Sequence, residues 1–274
     1  MAAVTRYTFT GVLELTGALH IGSGGGGRIG DTTQTDATVV RDSRGRPYIP
    51  GSSLRGVLRT AISQLAPQLG LGTIREDDEI EKTQRRIDDE EERRRRGGQS
   101  ALGEAELQDL LDGALSPGER LFGTVFWASP LLIPDLHLLD QKELAGEVRH
   151  GVGIDRDTGA AREAIKYDFE VLPRGARFAF FMRCDVPHFP TSFQQDWSRM
   201  LALGLRLLEQ GELTIGGRVA RGVGQVWLHD LATYTLDTSN RNSLLDALLA
   251  DDELARYGTR FVGDWTIDIL REIR

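Results

Sequence analysis

Apolar and polar positions follow the two-residue period of a strand in several parts of the chain. Residues 6–19 alternate in this way and are rich in β-formers, which predicts a first strand. Residues 38–49 (TVVRDSRGRPYI) predict a hairpin whose arms are separated by Ser43-Arg44-Gly45. The apolar runs at 122–140 and 178–185 predict core strands, the second of them (FAFFMRCD) buried.

Two other segments have the period of amphipathic helices. The first runs from about Ser53 to Leu65, and we expect Ser52 or Ser53 to cap it. The second covers residues 191–211 and ends at Gly211. Strands and helices in this order favour an α+β fold, with helices packed on an antiparallel sheet. The predicted buried residues are Leu54, Leu58, Ile62 and Leu65 in the first helix, and Phe193, Trp197, Met200, Leu201, Leu205 and Leu208 in the second.

Composition narrows the function classes. The 274 residues carry a formal net charge of −8, which argues against a protein coated in basic surface for nonspecific nucleic-acid binding, although it leaves room for a local basic groove. The single cysteine, Cys184, excludes an internal disulfide and a CxxC-type zinc site. No apolar run reaches the length of a membrane span, and the first residues do not resemble a secretion signal. We therefore expect a cytoplasmic protein without a membrane partner.

A charged segment covers residues from about 72 to 118. It has few apolar positions before Leu102, and acidic and basic residues are mixed densely at 75–96. This pattern predicts an exposed, solvated helix or a partly disordered insertion. Arg93 to Arg96 could contact RNA, but five acidic residues precede them directly, and we reject them as a main site.

The sequence PYIPGSSLRGVLR marks the start of the first helix. A helix start offers free N–H groups and the positive end of the dipole, which suit a phosphate. Arg55 and Arg59 lie one turn apart beside the apolar stripe. Two arginines at this spacing are also common as solvated residues or as partners of acidic residues.

A second candidate site is GGRVARGVG, residues 216–224, with Arg218 and Arg221. The stretch is not a Walker loop, because no Lys-Ser/Thr follows a GxxxxG. It precedes a strand rather than a helix, which is the wrong order for a dinucleotide fingerprint. It predicts either tight turns with positive φ or a backbone-lined groove for a phosphate chain.

A third candidate is the polar segment HIGSGGGGRIGDTTQTD, residues 20–36. His20, Asp31 and Asp36 are residue types that can serve RNA cleavage, which requires deprotonation of a ribose 2′-hydroxyl and balancing of charge on the phosphate. Asx turns at the aspartates and a packed histidine at a strand end are the structural alternatives.

Taken together and in order, these motifs resemble a known family. H-I-G-S-G, D-x-x-V-V-R-D, P-Y-I-P-G-S-S-L-R-G-x-x-R, G-I-D-R-D-T-G-A-A and G-G-x-x-x-R-G-x-G occur between Val12 and Leu228. This series is similar to that of the RAMP superfamily, and in particular to the repeated backbone subunit of type III CRISPR effector complexes, type III-A or III-D-like.

The resemblance implies a fold and an RNA partner. It implies a single domain over 1–274, with a modified ferredoxin-like, RRM-related core, the charged insertion at about 72–118, and a protruding thumb-like hairpin at about 147–166. It also implies that the subunit lies along a guide RNA. By position, the implied RNA-binding residues are His20, Ser52, Ser53, Arg55, Arg59, Arg218 and Arg221, and those of the thumb are Ile154, Asp155 and Arg156.

The resemblance further implies an RNA-guided endonuclease. The position of the cleaving aspartate corresponds to Asp36 rather than Asp31, acting with Mg²⁺ or another divalent cation and without zinc. Implied partners are the complementary target RNA, copies of this chain or related RAMP subunits, and the large and small subunits of a type III complex. Two alternatives stay open: a scaffold that holds guide RNA without cutting, and a stand-alone guide-processing endonuclease that uses His20 as a general base.

Overall fold

The computed structural model describes residues 4–22, 37–72, 74–75, 77–100, 103, 115–125, 127–140, 144–154, 161–187 and 191–273. The strands are β1 (Val4–Leu15), β2 (Tyr48–Ile49), β3 (Leu131–Leu132), β4 (Leu136–His137), β5 (Glu147–Ile154), β6 (Ala161–Val171), β7 (Arg177–Pro187), β8 (Val226–Asp237) and β9 (Thr259–Arg260). The helices are α1 (Gly51–Leu65), α2 (Asp77–Arg96), α3 (Pro117–Phe122), α4 (Thr191–Glu209), α5 (Arg241–Leu249) and α6 (Trp265–Arg271).

The central sheet is antiparallel, with strand order β3-β7-β1-β8-β9. β1 lies between β7 and β8 and pairs with both along most of its length. The alternation of residues 6–19 is reproduced in the strand, since Phe9, Leu13 and Leu15 are fully buried. The α+β class predicted from the sequence is confirmed, and the ferredoxin-like detail stays a prediction.

Helices cover the buried face of this sheet. The ring of Tyr7 lies 5.0 Å from that of Trp197 on α4, and the ring of Phe9 lies 4.9 Å from that of Trp265 on α6. Aromatic rings prefer defined relative orientations, so these contacts fix the positions of α4 and α6 on the sheet more closely than aliphatic packing would.

The predicted apolar stripe of α1 is confirmed except at Leu65, which is half-buried. Leu54, Leu58 and Ile62 are fully buried, because positions three or four apart share one helix face. α4 approaches this stripe closely at Gly204, where a Cβ would lie 2.9 Å from the Ile62 side chain. Glycine at this position therefore sets the distance between the two helices.

β5 and β6 form the hairpin expected near 147–166. Their pairing places Gly151 opposite Tyr167 and Ile154 opposite Ala161. A Cβ on Gly151 would lie 2.3 Å from the Tyr167 ring. The ring therefore occupies the space that a side chain at position 151 would need. The pairing continues to Val171, which is fully buried and joins the hairpin to a small apolar cluster.

The core strand predicted for 122–140 is wrong in extent. Among the described residues of this stretch, strand structure is limited to the two-residue strands β3 and β4. Pro130 stands directly before β3, and Pro134 stands between the two strands. Proline has no N–H to donate, so it interrupts a ladder at both points.

Residues 77–96 of the charged segment form the helix α2. Ion pairs such as that of Glu92 with Arg96 lie within this helix. The chain just before α2 is anchored where Arg75 donates to both carboxylate oxygens of Glu119, over 2.8 and 2.7 Å. Glu119 also completes a capping box with Ser116 at the start of α3.

No helix within the described ranges is both long and apolar enough to cross a membrane.

Candidate nucleic-acid interface

The glycine-rich stretch 216–224 folds back against the strand end that carries His20. The N–H of Gly217 donates to the His20 carbonyl over 2.9 Å. Gly216 has a φ of 88°, and a Cβ there would lie 2.3 Å from the same carbonyl oxygen. Glycine is required at position 216 both for its left-handed backbone and for this close approach. Two motifs that are far apart in the sequence therefore share one surface.

A groove of about 550 Å³ lies between one face of α1, from Ser52 to Gln64, and residues 212–219. Ser52 and Ser53 line it on the helix side, and Gly216 lines it on the loop side. Among the described residues that line it, Glu212 is the one charged side chain. Small polar residues and apolar side chains such as Val57 and Leu213 line the groove together, and the basic residues lie outside it.

α1 is capped from elsewhere in the chain. Pro50 is its N-cap residue, and Ser52 and Ser53 lie inside the first turn without capping it. Instead, the N–H of Gly51 donates to the Asp135 carboxylate over 2.9 Å. The serine cap predicted from the sequence is wrong, because this distant carboxylate takes its place. One N–H group predicted to be free for a phosphate is therefore already bound.

Arg55 and Arg59 have different surroundings although they are one turn apart. Arg55 donates to the carbonyl of Leu131 over 3.2 Å and to that of Phe122. Partial burial lowers the pKa of the Arg55 guanidinium, and the positive charge of Arg59 lowers it further. Arg59 forms no ion pair or hydrogen bond with any described residue. Arg55 thus has a structural contact in addition to the RNA contact predicted for both arginines, and that RNA contact stays a prediction.

Arg218 and Arg221 lie on aromatic side chains of β6. The guanidinium carbon of Arg218 is 4.2 Å from the ring centre of Phe169 and 4.9 Å from that of Tyr167. Arg221 lies 5.3 Å from the Tyr167 ring centre and donates to the Tyr167 hydroxyl. Neither arginine pairs with a carboxylate in the part of the chain that the structure describes. The aromatic rings therefore hold two positive charges that no described carboxylate compensates.

The backbone of Arg218 is itself unusual. Its φ is 63°, in the left-handed region that residues other than glycine rarely adopt. The contacts with Phe169 and Tyr167 hold the side chain of a residue whose backbone conformation is unfavourable. Such outliers are concentrated at functional sites.

His20 lies below this arginine–aromatic cluster. Its side chain is 7% exposed, and its ring meets Phe169 edge-on at 5.8 Å between ring centres. Nδ1 lies 2.7 Å from the carbonyl oxygen of Glu170. A carbonyl oxygen can only accept, so Nδ1 carries the proton of this hydrogen bond. The packed histidine considered as an alternative describes this environment, and the RNA contact of His20 stays a prediction.

The β6 residues of this surface were missed from the sequence. Tyr167 and Phe169 alternate in KYDFEV, and that spacing places both on one face of a strand, which was the available signal. The carboxylate of Glu170, the next residue after Phe169, accepts a hydrogen bond from Arg41 over 2.6 Å and another from the N–H of Val39 over 2.9 Å. The chain that follows the polar segment 23–36 is thus fixed to β6.

Several predicted site residues lie outside the described residues: Asp31, Asp36, Asp155 and Arg156. Ile154 is the last residue of β5. Ala37, which follows Asp36 in the sequence, forms a bridge with Phe169.

No metal centre is formed by the described side chains. Within the described ranges, no three His, Cys, Asp or Glu side chains come together closely enough to hold a metal ion. The divalent cation predicted at Asp36 therefore stays a prediction.

Comparison with known proteins gives two findings. The sequence profile of the RAMP superfamily matches residues 12–227, which include His20, α1, the β5–β6 hairpin and the glycine-rich stretch. The chain is also similar to the CRISPR system Cms endoribonuclease Csm3 of Mycobacterium tuberculosis (strain ATCC 25618 / H37Rv). The two are 30% identical over 261 residues, covering 89% of this chain and 94% of that protein.

Proposed function

Because this chain belongs to the RAMP superfamily, we propose that it is the backbone subunit of a type III CRISPR effector complex. In this role it binds guide RNA and cleaves the complementary target RNA. Its partners are the guide, the target, copies of itself or related RAMP subunits, and the large and small subunits of the complex. Specificity rests on guide–target pairing, since contacts to phosphate position RNA without reading its bases.

The observation that carries RNA binding is the convergence of three motifs on one surface. α1 and the glycine-rich stretch line the groove together, and the glycine-rich stretch is hydrogen-bonded to the His20 carbonyl through the N–H of Gly217. Arg59, Arg218 and Arg221 supply positive charge without a carboxylate partner among the described residues. A chain with a net charge of −8 that leaves these cations unpaired offers a local site for a phosphate backbone.

We assign cleavage to Asp36. The similar M. tuberculosis protein is named an endoribonuclease. The carboxylate at position 36 could bind a hard divalent cation or orient the ribose 2′-hydroxyl that attacks the phosphate. Mg²⁺, when bound, would neutralise charge on that phosphate. Since Ala37 bridges to Phe169, the chain leaves the segment containing Asp36 beside the aromatic surface that carries Arg218.

The test uses the complete complex purified with its nucleic acid. Sequencing the bound RNA should return guides that carry CRISPR repeat sequence. The complex should cut a complementary RNA in Mg²⁺ and leave it intact in EDTA. Asp36→Ala should hold guide and target with near-normal affinity while the cleavage rate falls by about 100-fold or more, because the lost group acts mainly in the transition state.

Asp31→Ala is the matched control, because it removes a carboxylate from the same segment. It should retain most of the cleavage rate. Unimpaired cutting by Asp36→Ala would assign catalysis to another residue. A guide-loaded wild-type complex that never cuts would instead show a non-cleaving scaffold, and cutting that survives EDTA would favour a metal-independent guide-processing enzyme.

A further inference from the structure

Helix α5 presents an apolar side that the rest of the described chain leaves exposed. Leu245, Leu248 and Leu249 are three and four residues apart, so they lie together on the helix surface. Leu248 is 70% exposed and Leu249 is 77% exposed. Leu254, at the start of the 3-10 turn Ala255–Tyr257, is exposed as well. Single exposed leucines are common, but four within a short segment are typical of a contact surface, and we call these four the leucine patch.

The other side of α5 is packed on the central sheet. Ala247 is buried there, and Asn240 caps the start of the helix by accepting from two N–H groups of its first turn. In the 3-10 turn that follows, the ring centre of Tyr257 lies 5.7 Å from those of Phe181 and Tyr234. The leucine patch therefore belongs to a helix with a fixed position, and it is the side that faces away from the sheet.

Acidic residues border the leucine patch. Residues 251–253 (DDE) follow the carboxyl end of α5, where the helix dipole is negative and disfavours carboxylates. Asp251 has no hydrogen bond or ion pair with any described residue. Arg256 is close in sequence, but its guanidinium donates to the carbonyl of Ala250 over 3.0 Å, and Arg241 lies at the opposite end of the helix. Exposed leucines and carboxylates at a negative helix end are both unfavourable in the isolated chain, and an apolar, cationic partner would relieve both.

The guide RNA does not suit this surface. The glycine-rich stretch precedes β8, and α5 follows the other end of the same strand, which is 12 residues long. A strand advances about 3.3 Å per residue, so α5 lies roughly 35 Å from the proposed RNA surface. Its acidic border would also repel phosphates. A second copy that offered the same patch would bring two acidic borders together, which is unfavourable as well.

We propose that the leucine patch and its acidic border dock a different protein subunit of the effector complex, through a surface that is apolar at its centre and carries Arg or Lys at its edge. Burial of the leucines supplies affinity, and the charges orient the partner and speed its association. The inference rests on the proposed function, because it places this chain in a complex with other protein subunits. It assigns α5 to protein contacts, separate from the surface that holds RNA.

The first experiment measures whether assembly covers the patch. The native thiol, Cys184, is buried, and burial raises its pKa, so it reacts slowly with alkylating reagents. Leu248→Cys therefore adds one reactive thiol within the leucine patch. Its alkylation by iodoacetamide is timed in the isolated chain, in the chain with guide RNA alone, and in the complete complex. The rate should fall by about tenfold or more in the complete complex and stay unchanged in the other two samples.

The other outcomes identify a different occupant or none. Protection that already appears with guide RNA alone would show that RNA or a second copy of this chain covers the patch, and the proposal would be wrong. Protection in the isolated chain that grows with its concentration would show a second copy. Full reactivity in the complete complex would show that the patch is no interface at all.

The second experiment weakens the contact and follows the subunit composition of the purified complex by native mass spectrometry. Leu249→Asp should melt and bind guide RNA as wild type does, while incorporation of another protein subunit falls by about tenfold or more, the effect of losing one buried leucine. Val125→Asp is the matched control, because Val125 is also 77% exposed and lies outside the patch. It should leave the composition unchanged.

The charge component is tested with Asp251→Lys. This variant should slow association of the same subunit and reduce the salt dependence of its association rate, because a favourable charge at the border is reversed. Normal composition in Leu249→Asp, with normal association in Asp251→Lys, would overturn the inference and leave the proposed function standing. If wild-type protein assembles with neither guide RNA nor any other subunit, both fail.

Discussion

Arg55 and Arg59 give the sharpest separation between a structural and an RNA-binding role. They have the same side chain, lie one turn apart on α1, and differ in their contacts. Arg55 donates to the carbonyls of Leu131 and Phe122, whereas Arg59 makes no hydrogen bond or ion pair with a described residue. Arg55→Ala should therefore lower stability, and Arg59→Ala should leave it nearly unchanged.

The magnitude for Arg55 follows from the two carbonyls that lose their donor. A hydrogen bond from a charged group contributes about 1.5–3 kcal/mol. The guanidinium is only partly buried, so water can replace part of both contacts, and we expect a total loss of about 1–2 kcal/mol. For a chain of this length the melting temperature should fall by about 4 °C. Arg59→Ala should stay within about 0.5 kcal/mol of wild type, because the half-buried side chain makes no hydrogen bond or ion pair with a described residue.

RNA binding should show the reverse order. If Arg59 contacts a guide phosphate, its loss should reduce the slope of log affinity against log salt by about 0.7, the value for one phosphate of a single strand. Arg55→Ala should change this slope less, because its guanidinium is engaged with protein carbonyls. Arg55→Lys is the control: it keeps the charge but cannot donate to two carbonyls in the same way.

The assay combines thermal unfolding of each variant with guide-RNA titrations between about 50 and 200 mM salt, the range over which phosphate contacts dominate affinity. Equal melting temperatures for Arg55→Ala and Arg59→Ala would refute the structural role of Arg55. A normal salt slope in Arg59→Ala would remove Arg59 from the proposed phosphate contacts.

Three other predictions follow from single contacts. Burial by itself raises the pKa of Glu119, but hydrogen bonds and charge from Arg75 outweigh it and hold the pKa below its usual value. The pair of Glu119 and Arg75 should thus stabilise the fold fully above about pH 4.3 and progressively less as pH falls below that value. In denaturant titrations, Glu119→Ala should lower the free energy of unfolding by about 3 kcal/mol at neutral pH and by less in acid. Gly216→Ala should lower the melting temperature sharply, because a Cβ would lie 2.3 Å from the His20 carbonyl, whereas Gly217→Ala should melt normally yet retain less guide RNA. Tyr167→Leu should fold but weaken guide retention several-fold in competition assays, because it removes the aromatic support of Arg221 and one of the two rings that hold Arg218. Unchanged retention would contradict a role for this support.

The hydrophobic periodicity of the sequence was enough to predict the strands and helices that have one clearly apolar face. β1, β7, α1 and α4 were predicted within a few residues, since a hydrophobic stripe with a period of two or 3.6 specifies the conformation and the buried face together. The basic and glycine-rich motifs also indicated the chemistry of the surface. Their order along the chain carried the resemblance to the RAMP superfamily, which the family match bears out.

Tertiary structure decided what each of these residues does. The sequence offered two serines as caps for α1, and Asp135 supplies the contact instead. It presented Arg55 and Arg59 as equivalent, and only the carbonyls of a distant segment distinguish them. It left His20 between a packed and a functional role, whereas the structure packs its ring against Phe169 and holds Nδ1 against the Glu170 carbonyl. In each case the deciding partner lies far away in the sequence, and a local pattern cannot specify a contact that forms only when the strands and helices pack together.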